Sequence, residues 1–236
     1  MKIKALKAFT VRDSETGDLS SIAYGAIADV SDTLGQSLIE DGLAEAYDDG
    51  SNDENFKKAV DKSITRVTAD MLEGVTNIRN VAFNSCTSLE SVEIPNSVTS
   101  IGINAFKNCS SLTSIEIPNS VTSIGNRAFY SCSSLASVEI QNSVTSIGDS
   151  TFYSCTSLES VEIPNSVTSI GAEAFRSCSS LASITVLATS PPTLGASVFQ
   201  GISQSFKIYV PAESVDVYKA ASRWSSYADE IEAIST

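Results

Sequence analysis

The sequence predicts an α/β-type solenoid in which stacked coils of 23 residues build a parallel β-sheet. Over about half of the 236-residue chain, the same residue types return at one fixed step. Cysteine, phenylalanine and leucine each form a column whose successive members lie 23 residues apart: Cys86, Cys109, Cys132, Cys155, Cys178; Phe83, Phe106, Phe129, Phe152, Phe175; and Leu89, Leu112, Leu135, Leu158, Leu181. Self-similarity of this kind is typical of repeat proteins, whose units bury their apolar groups only by stacking on one another.

Each repeat unit predicts one strand followed by a tight turn. The unit reads AFxxCxSLxSVEIPNSVTSIGxx, as in residues 105–127. In residues 91–94 apolar and polar residues alternate, which indicates a strand with one buried face. Pro95 ends the pairing because it has no N–H to donate, and Gly102 supplies the bend. The apolar spacing of three through residues 105–112 then suits a helical or 3₁₀ turn with one buried side.

The chain before the repeats predicts a small β-rich domain and a cap. Residues 1–47 contain three or four short strands, the first over residues 2–11, and one short helix around Leu34 and Leu38, ended by Gly42. Residues 48–70 begin with the acidic stretch DDGSNDE, the best linker candidate, and continue as a helix over 55–67 whose Phe56, Val60 and Ile64 face the first coil. Such a cap is expected because a bare first coil would expose apolar groups to water.

The chain after residue 187 predicts a second cap. We assign residues 71–187 to the solenoid and 188–236 to this C-terminal segment. Residues 207–211 read as a strand, and an amphipathic helix follows in which Val215 and Tyr218 share one face. With Trp224 and Tyr227 further on, this helix could cover the last coil.

The repeat resembles the BspA-like, Treponema-type leucine-rich repeats of bacterial surface proteins. The strand carries Leu-x-x-Val-x-Ile. The general leucine-rich pattern has an Asn or Cys just after the strand. This chain lacks it, and its cysteine lies three residues before the leucine of the strand instead. The C-terminal segment is also similar to the cap of that family. The resemblance implies a parallel-sheet solenoid that serves in adhesion and recognition, on the bacterial cell surface or as a secreted protein.

The first 47 residues are similar to the short β-rich domains of tailed-phage structural proteins. MKIKALKAFTV, followed by AIADVSDTLGQSLIEDGLAEAY, carries this resemblance. Lysines interrupt the apolar residues at the start, so no secretory signal is expected there, and no apolar stretch approaches the ~18 residues of a membrane span. The resemblance implies that the N-terminal domain docks on a phage capsid or another virion protein. Such a small domain could also assemble around a symmetry axis as a homo-oligomer.

Composition argues against catalysis and against nucleic acid and bare membrane as partners. The chain has no histidine, so imidazole acid–base chemistry and the commonest zinc sites are excluded, and we expect no enzyme activity and no cofactor. Lys and Arg number 15 against 28 Asp and Glu, a net charge of −13. Such a balance repels phosphate backbones and anionic lipid, so we expect the partners to be neutral, basic or bridged by cations.

The cysteine column predicts buried, reduced thiols. Successive cysteines of stacked coils lie within disulfide reach, but five cannot all pair, and cysteine without a disulfide is usually a small buried hydrophobe. A straight column cannot close the tetrahedron that a zinc ion needs, so we expect no metal there. A thiol count well below five under denaturing conditions would contradict this prediction.

A glutamate column is the first candidate binding surface. Its members occupy the same outward position of successive strands, with Thr185 closing the row: Glu93, Glu116, Glu139 and Glu162. Like charges in register oppose pairing. The row is either a solvated acidic surface screened by salt, or a strip that binds cations such as Ca²⁺ or a basic partner. Identical environments do not suit the two distinct carboxylates of a glycosidase.

A variable column is the second candidate binding surface. The residue after each column phenylalanine changes while the scaffold stays constant: Asn84, Lys107, Tyr130, Tyr153 and Arg176. Tyr130 and Tyr153 lie between Lys107 and Arg176, which predicts an aromatic and cationic stripe. Tyr and Arg are frequent in binding hot spots, and aromatic rings also stack on sugars. The alternative is a set of ordinary solvated turn residues.

Three functions fit these observations. The first is a non-enzymatic recognition protein of the phage virion, a head decoration or fibre, whose repeats bind a host-surface protein or glycan. The second is a BspA-like adhesin on the bacterial cell surface. The third is a capsid-stabilising decoration that binds no receptor. The genes beside this one, capsid and portal or sortase and secretion, would separate the first from the second.

Overall fold

The computed structural model describes residues 63–235 in full and, before them, only the backbones of five strands. The chain divides into two compact units, Met1–Asp53 and Glu54–Thr236. The predicted domain boundaries stay predictions. The predicted N-terminal helix around Leu34 and the linker over residues 48–54 lie outside the described residues.

The N-terminal unit is built from antiparallel strands. The sheet order β4-β1-β5 joins three strands and a hairpin joins β2 to β3. The five strands are β1 Lys2–Ala5, β2 Phe9–Arg12, β3 Leu19–Ile22, β4 Ile27–Asp29 and β5 Ala44–Tyr47. Residues 2–11, which the sequence predicts as one strand, are thus divided between β1 and β2.

The solenoid has two parallel strands in each coil. The first carries the Val-x-Ile motif, with its apolar residues buried and the alternate residues facing out. These strands are β6 Arg66–Val67, β8 Ser91–Val92, β10 Ser114–Ile117, β12 Ser137–Ile140, β14 Ser160–Ile163, β16 Ser183–Val186 and β18 Lys207–Val210, with β19 Ile231–Ala233 added at the end. They form the hydrogen-bonded groups β6-β8, β10-β12 and β14-β16-β18-β19. We call their outward face the strand side.

The second strand of each coil corrects the sequence prediction of a single strand. It consists of two residues, usually Ser-Ile, and its members join into one six-stranded parallel sheet, β17-β15-β13-β11-β9-β7. These strands are β7 Asn77–Ile78, β9 Ser100–Ile101, β11 Ser123–Ile124, β13 Ser146–Ile147, β15 Ser169–Ile170 and β17 Thr193–Leu194. A two-residue strand is too short to show the alternation by which strands are recognised.

A third face of each coil, which we call the turn side, runs from the residue after the glycine column to the column leucine, as in residues 103–112. The predicted helical or 3₁₀ turn is wrong here, because the backbone makes successive turns with two residues in the left-handed region, such as Asn104 at φ 56° and Asn108 at φ 61°. Asparagine tolerates this conformation. The N–H groups of Asn104, Phe106 and Asn108 donate to carbonyls of the following coil at 3.0, 2.7 and 2.8 Å. Backbone hydrogen bonds therefore join successive coils on all three faces.

The core is a set of residue columns that run along the solenoid. The column phenylalanines are buried and stack nearly parallel, with ring centroids 5.0–5.4 Å apart from Phe83 to Phe175 and 6.0 Å for the last step to Phe199. Such aromatic pairs contribute about 0.5–1.5 kcal/mol each beyond their buried area. The predicted solenoid, with its parallel strands and its strand and helix at the C-terminus, is confirmed.

The glycine column lies where successive coils come closest. A Cβ on Gly125 would lie 2.7 Å from backbone atoms of Gly102 and Ile103, and one on Gly171 2.5 Å from the Asp149 nitrogen. Real Cβ atoms do not approach backbone so closely, so glycine is needed for the coils to stack. In the first coil, Arg79 holds this position.

The N-terminal end of the solenoid differs from the predicted cap helix. Residues 55–62 of that helix lie outside the described residues, and its last two form strand β6, which pairs with β8 in parallel. A 3₁₀ helix, Ala69–Leu72, follows and buries Leu72. Ile64, which we expected on the inner face of the helix, is partly buried against the core.

The C-terminal cap covers the last coil as expected. It contains a 3₁₀ turn Ala212–Ser214, the helix α1 Val215–Ala220 and a 3₁₀ helix Trp224–Tyr227. Tyr218 and Trp224 are buried, and Phe199 contacts the rings of both Trp224 and Tyr227. In the described residues, no helix is both long and apolar enough to cross a membrane.

Candidate functional site

The variable column forms an ordered ladder on the turn side. The rings of Tyr130 and Tyr153 stack with centroids 4.7 Å apart and planes 4° from parallel. Lys107 Nζ lies 5.4 Å from the centroid of Tyr130, and Arg176 Cζ lies 5.9 Å from that of Tyr153. All four side chains are half-buried. The order along the solenoid is therefore cation, ring, ring, cation, and we call these four residues the tyrosine–cation ladder.

The fold positions this ladder by repetition. Each member follows a buried column phenylalanine by one residue, so the stacking of the phenylalanines sets the spacing of the outer column. The Ser131 N–H donates to the Tyr153 carbonyl at 2.8 Å, and the Ser154 N–H donates to the Arg176 carbonyl at 2.9 Å. The sequence prediction of an aromatic and cationic stripe thus corresponds to a stacked geometry, while its role in binding stays a prediction.

Charged residues beside the ladder include one acid and one further base. Arg176 forms a salt bridge with Glu173, three residues earlier in the same coil. Arg127 occupies the column of Glu173 two coils earlier, three residues before Tyr130, and is exposed. Sequence reasoning did not single out Arg127, although its offset of three from Tyr130 equals that of Glu173 from Arg176. The signal that could have identified Arg127 is its position two residues before a column phenylalanine, Phe129.

The glutamate column lies on the strand side with exposed carboxylates. Glu116 faces Glu139 in the register of β10 and β12, and Glu162 faces Thr185 in that of β14 and β16. Glu93 follows the end of β8, where Arg66 and the Ala69 N–H hydrogen-bond to its carboxylate and lower its pKa, Arg66 having the larger effect. The side-chain amide of Gln141 donates to Glu139 at 2.7 Å.

No metal site arises from this column in the part of the chain that the structure describes. There, no three acidic or thiol groups converge as a bound ion would require. The row continues past Thr185 through Tyr209 to Glu232, which forms a salt bridge with Lys207, and this bridge raises the pKa of Lys207. The calcium alternative and the binding of a basic partner by this row both stay predictions.

The cysteine column is buried in the core. The thiol of each later cysteine donates to the carbonyl of the phenylalanine 26 residues earlier, as Cys109 does to Phe83 at 3.0 Å. Cys132, Cys155 and Cys178 repeat this bond at 3.1, 3.2 and 3.0 Å. Burial, more than the neighbouring thiols, raises the pKa of Cys109 to about 12 and those of Cys132 and Cys155 well above the usual value. These thiols are therefore poor nucleophiles and poor metal ligands at neutral pH.

A groove near the C-terminal end of the solenoid was not foreseen. It has a volume of about 610 Å³ and follows the glycine column beside the six-stranded sheet. Its lining includes three column glycines, the hydroxyl residues Ser146, Ser169 and Thr193, and Arg223. The Arg223 guanidinium is committed in part to the Leu194 carbonyl, at 3.1 Å.

Comparisons with known proteins point to one family. The model of the family described as BspA type leucine-rich repeat region matches residues 75–216 in six copies. Among solved structures, a leucine-rich-repeat protein of Treponema pallidum is 32% identical, with 58% of this chain and 68% of that chain covered and a TM-score of 0.47.

Two further solved structures are similar. A leucine-rich-repeat protein of Bacteroides ovatus is 26% identical over 73% of this chain and 54% of that chain, with a TM-score of 0.43. A leucine-rich cell surface protein of Faecalibacterium prausnitzii is 25% identical over 73% and 60% of the two chains, with a TM-score of 0.37. This chain thus spans little more than half the length of these two. No curated protein matches it.

Proposed function

The chain belongs to the BspA-type leucine-rich-repeat family, and from that premise we propose that it is a non-enzymatic recognition protein that binds a partner on a host surface, as a bacterial adhesin does. Its expected location is the bacterial cell surface or the surrounding medium. The family match covers the repeats, and none of the relatives reported above is a phage protein. The hypothesis that the chain is a component of a phage virion is therefore without support, and the adhesin alternative replaces it as the main proposal.

The observation that carries this proposal is the contrast between constant and variable columns. Glycine, phenylalanine, cysteine and leucine hardly change, because each fills one place in the stack. The residues of the tyrosine–cation ladder change from coil to coil, and they lie on the surface where a change does not disturb the core. Tyr and Arg are the residues in which binding energy concentrates. Variation at this column can thus change which partner is bound without changing the fold.

Binding of labelled protein to cultured epithelial host cells tests the proposal. The double variant Tyr130→Ala with Tyr153→Ala should weaken binding by at least about thirtyfold, because the loss of one hot-spot residue already costs about 2 kcal/mol or more. Val217→Ala is the control, since Val217 is 53% exposed and lies in the C-terminal cap, outside both candidate surfaces. The proposal fails if the wild-type protein binds no host cell, or if the ladder variant and the control bind equally well.

A further inference from the structure

Resting on that proposed function, we infer that the partner of the turn side is a linear anionic glycan, held by Lys107, Arg127 and Arg176 around the stacked tyrosines. The ligand class follows from what the ladder leaves accessible and from where the solenoid places its basic residues. Both observations concern the described residues only.

The faces of both tyrosine rings are already occupied. Tyr130 has Lys107 on one face and Tyr153 on the other, while Tyr153 has Tyr130 and Arg176. A sugar therefore cannot stack on a ring face, which is the usual way in which tyrosine binds neutral sugars. What remains for a ligand is the outer edge of each ring, which carries the positive end of its quadrupole, the phenol hydroxyls and the two cations. Such a surface favours negative charge.

The solenoid also separates its charges between faces. All basic residues of 69–187 come after the second strand of their coil, at the start of the turn side or on it: Arg79, Lys107, Arg127 and Arg176. Six of its ten acidic residues lie in the first strand or directly beside it: Glu90, Glu93, Glu116, Glu139, Glu159 and Glu162. At physiological salt the Debye length is about 8 Å, so charges on the opposite side of the solenoid are largely screened. The turn side of these coils carries Lys107, Arg127 and Arg176 against two acids, Asp149 and Glu173, so a chain of net charge −13 presents there a small local excess of positive charge.

The basic groups form a line that a linear ligand can follow. Lys107 and Arg176 are three coils apart, about 14 Å at ~4.8 Å per coil. Arg127 lies in the coil of Tyr130, between the coils of Lys107 and Arg176, three residues before Tyr130, and its side chain is exposed. At the equivalent offset two coils later, Glu173 reaches Arg176. Arginine pairs with carboxylate and sulfate groups through two parallel hydrogen bonds. Glu173 competes with the ligand for Arg176 and limits the positive charge of this face.

The test measures binding of the purified chain to immobilised heparin, hyaluronan and dextran, which are sulfated, carboxylated and uncharged. We expect heparin or hyaluronan to bind, with affinity falling as salt rises, and dextran not to bind. Lys107→Gln with Arg127→Gln should weaken binding by about tenfold. Glu173→Gln should strengthen it, because Arg176 then loses its intramolecular partner.

The control is Lys207→Gln with Lys219→Gln, which removes the same charge away from the turn side and should change affinity by less than about twofold. Thermal melts verify that each variant is folded. The inference is overturned if neither anionic glycan binds, if the two double variants lose affinity equally, or if a single-stranded DNA oligomer of matched charge binds as tightly as heparin. Host-cell binding that persists after enzymatic removal of anionic glycans would overturn it while leaving the adhesin proposal intact.

Discussion

Each column cysteine from Cys109 onward connects its coil to an earlier one by a thiol hydrogen bond. The acceptor is the phenylalanine carbonyl 26 residues before, at 3.0–3.2 Å. Serine could donate the same bond but is less apolar, and alanine would leave a buried carbonyl without a partner. Cysteine combines a small apolar volume with a weak donor, which suits a site of nearly complete burial. The column therefore has a structural explanation that needs neither metal nor disulfide.

Raising the pH from about 8 to about 10 should destabilise the protein through these thiols. An unfolded thiol has a pKa of about 8.5, whereas burial raises the pKa of Cys109 and Cys178 to about 12. Between those values the unfolded chain has lost protons that the folded chain keeps. The stabilisation is thus complete below the unfolded pKa and declines as pH rises, by about 1 kcal/mol per thiol per pH unit. Urea unfolding under reducing conditions at several pH values measures this slope.

The control for this slope replaces two thiols by hydroxyls that do not titrate. Cys109→Ser with Cys178→Ser lowers stability at every pH but should give a shallower pH dependence. Repulsion within a chain of net charge −13 also grows with pH, and it acts equally on both proteins. An unchanged slope in the double variant would show that the thiols are not responsible.

At the scale of elements, the sequence predicted the first strand of each coil. It missed the second strand and the left-handed turns, whose backbone hydrogen bonds join successive coils. The first strand was predictable because Val138 and Ile140 alternate with exposed residues. The second strand was missed because Ser146–Ile147 is too short to show a period. Apolar spacing alone predicted a helical or 3₁₀ turn on the turn side. Arg127 and Ser131, both at φ 56°, have a left-handed backbone instead, which their residue types do not predict.

The candidate site was predicted in part for the same reason. The column of Lys107, Tyr130, Tyr153 and Arg176 could be read from the period, which sets neighbours one coil apart. The stacking of the rings and the cations over their faces are properties of side-chain rotamers. The pairing of Glu93 with Arg66 was also beyond the sequence, because Arg66 belongs to a strand that the cap-helix prediction excluded.

The C-terminal cap replaces the missing next coil with side-chain donors. In earlier coils, the carbonyls of Thr168 and Ile170 accept N–H groups from Thr193 and Gly195 at 2.9 and 2.8 Å. One coil later, the equivalent carbonyls of Pro192 and Leu194 accept Trp224 Nε1–H at 2.7 Å and a guanidinium N–H of Arg223 at 3.1 Å. The Tyr218 hydroxyl donates to the Ala188 carbonyl at 2.8 Å. The cap thus satisfies an edge that would otherwise be open to another strand.

Trp224→Phe should destabilise the last coils. The variant keeps an aromatic ring but leaves the buried Pro192 carbonyl without its donor, a loss of about 1–3 kcal/mol. Chemical unfolding gives the total effect, and hydrogen exchange should quicken at the Thr193 and Gly195 amides. Val217→Ala in the same cap is the control, because Val217 is 53% exposed and its change should stay within about 0.5 kcal/mol. Equal stability of the two variants would contradict the assigned role of the indole.

At the scale of the whole molecule, the solenoid is a stack in which each coil contacts chiefly its neighbours. Stability in such a protein is close to a sum of coil terms and coil–coil interfaces. Hydrogen bonds between successive coils occur on all three faces, so every coil presents nearly the same surface to the next. A coil can then be removed without changing the interfaces at either side of the gap, provided that the columns stay in register.

Deletion of residues 116–138 should therefore leave a folded, shorter solenoid. The deletion removes one 23-residue unit and joins Ile115 to Glu139, so the strand reads Ser-Ile-Glu-Ile as β10 does now. Circular dichroism should keep the same shape, and the urea m-value should fall by roughly a tenth, in proportion to the surface lost. Deletion of 117–138 is the control, since it keeps Glu116 as an extra residue and turns Ile140 from the core to the outer face. We expect this second protein to lose the cooperative unfolding of the parent, and equal behaviour of the two deletions would refute the stacking of interchangeable coils.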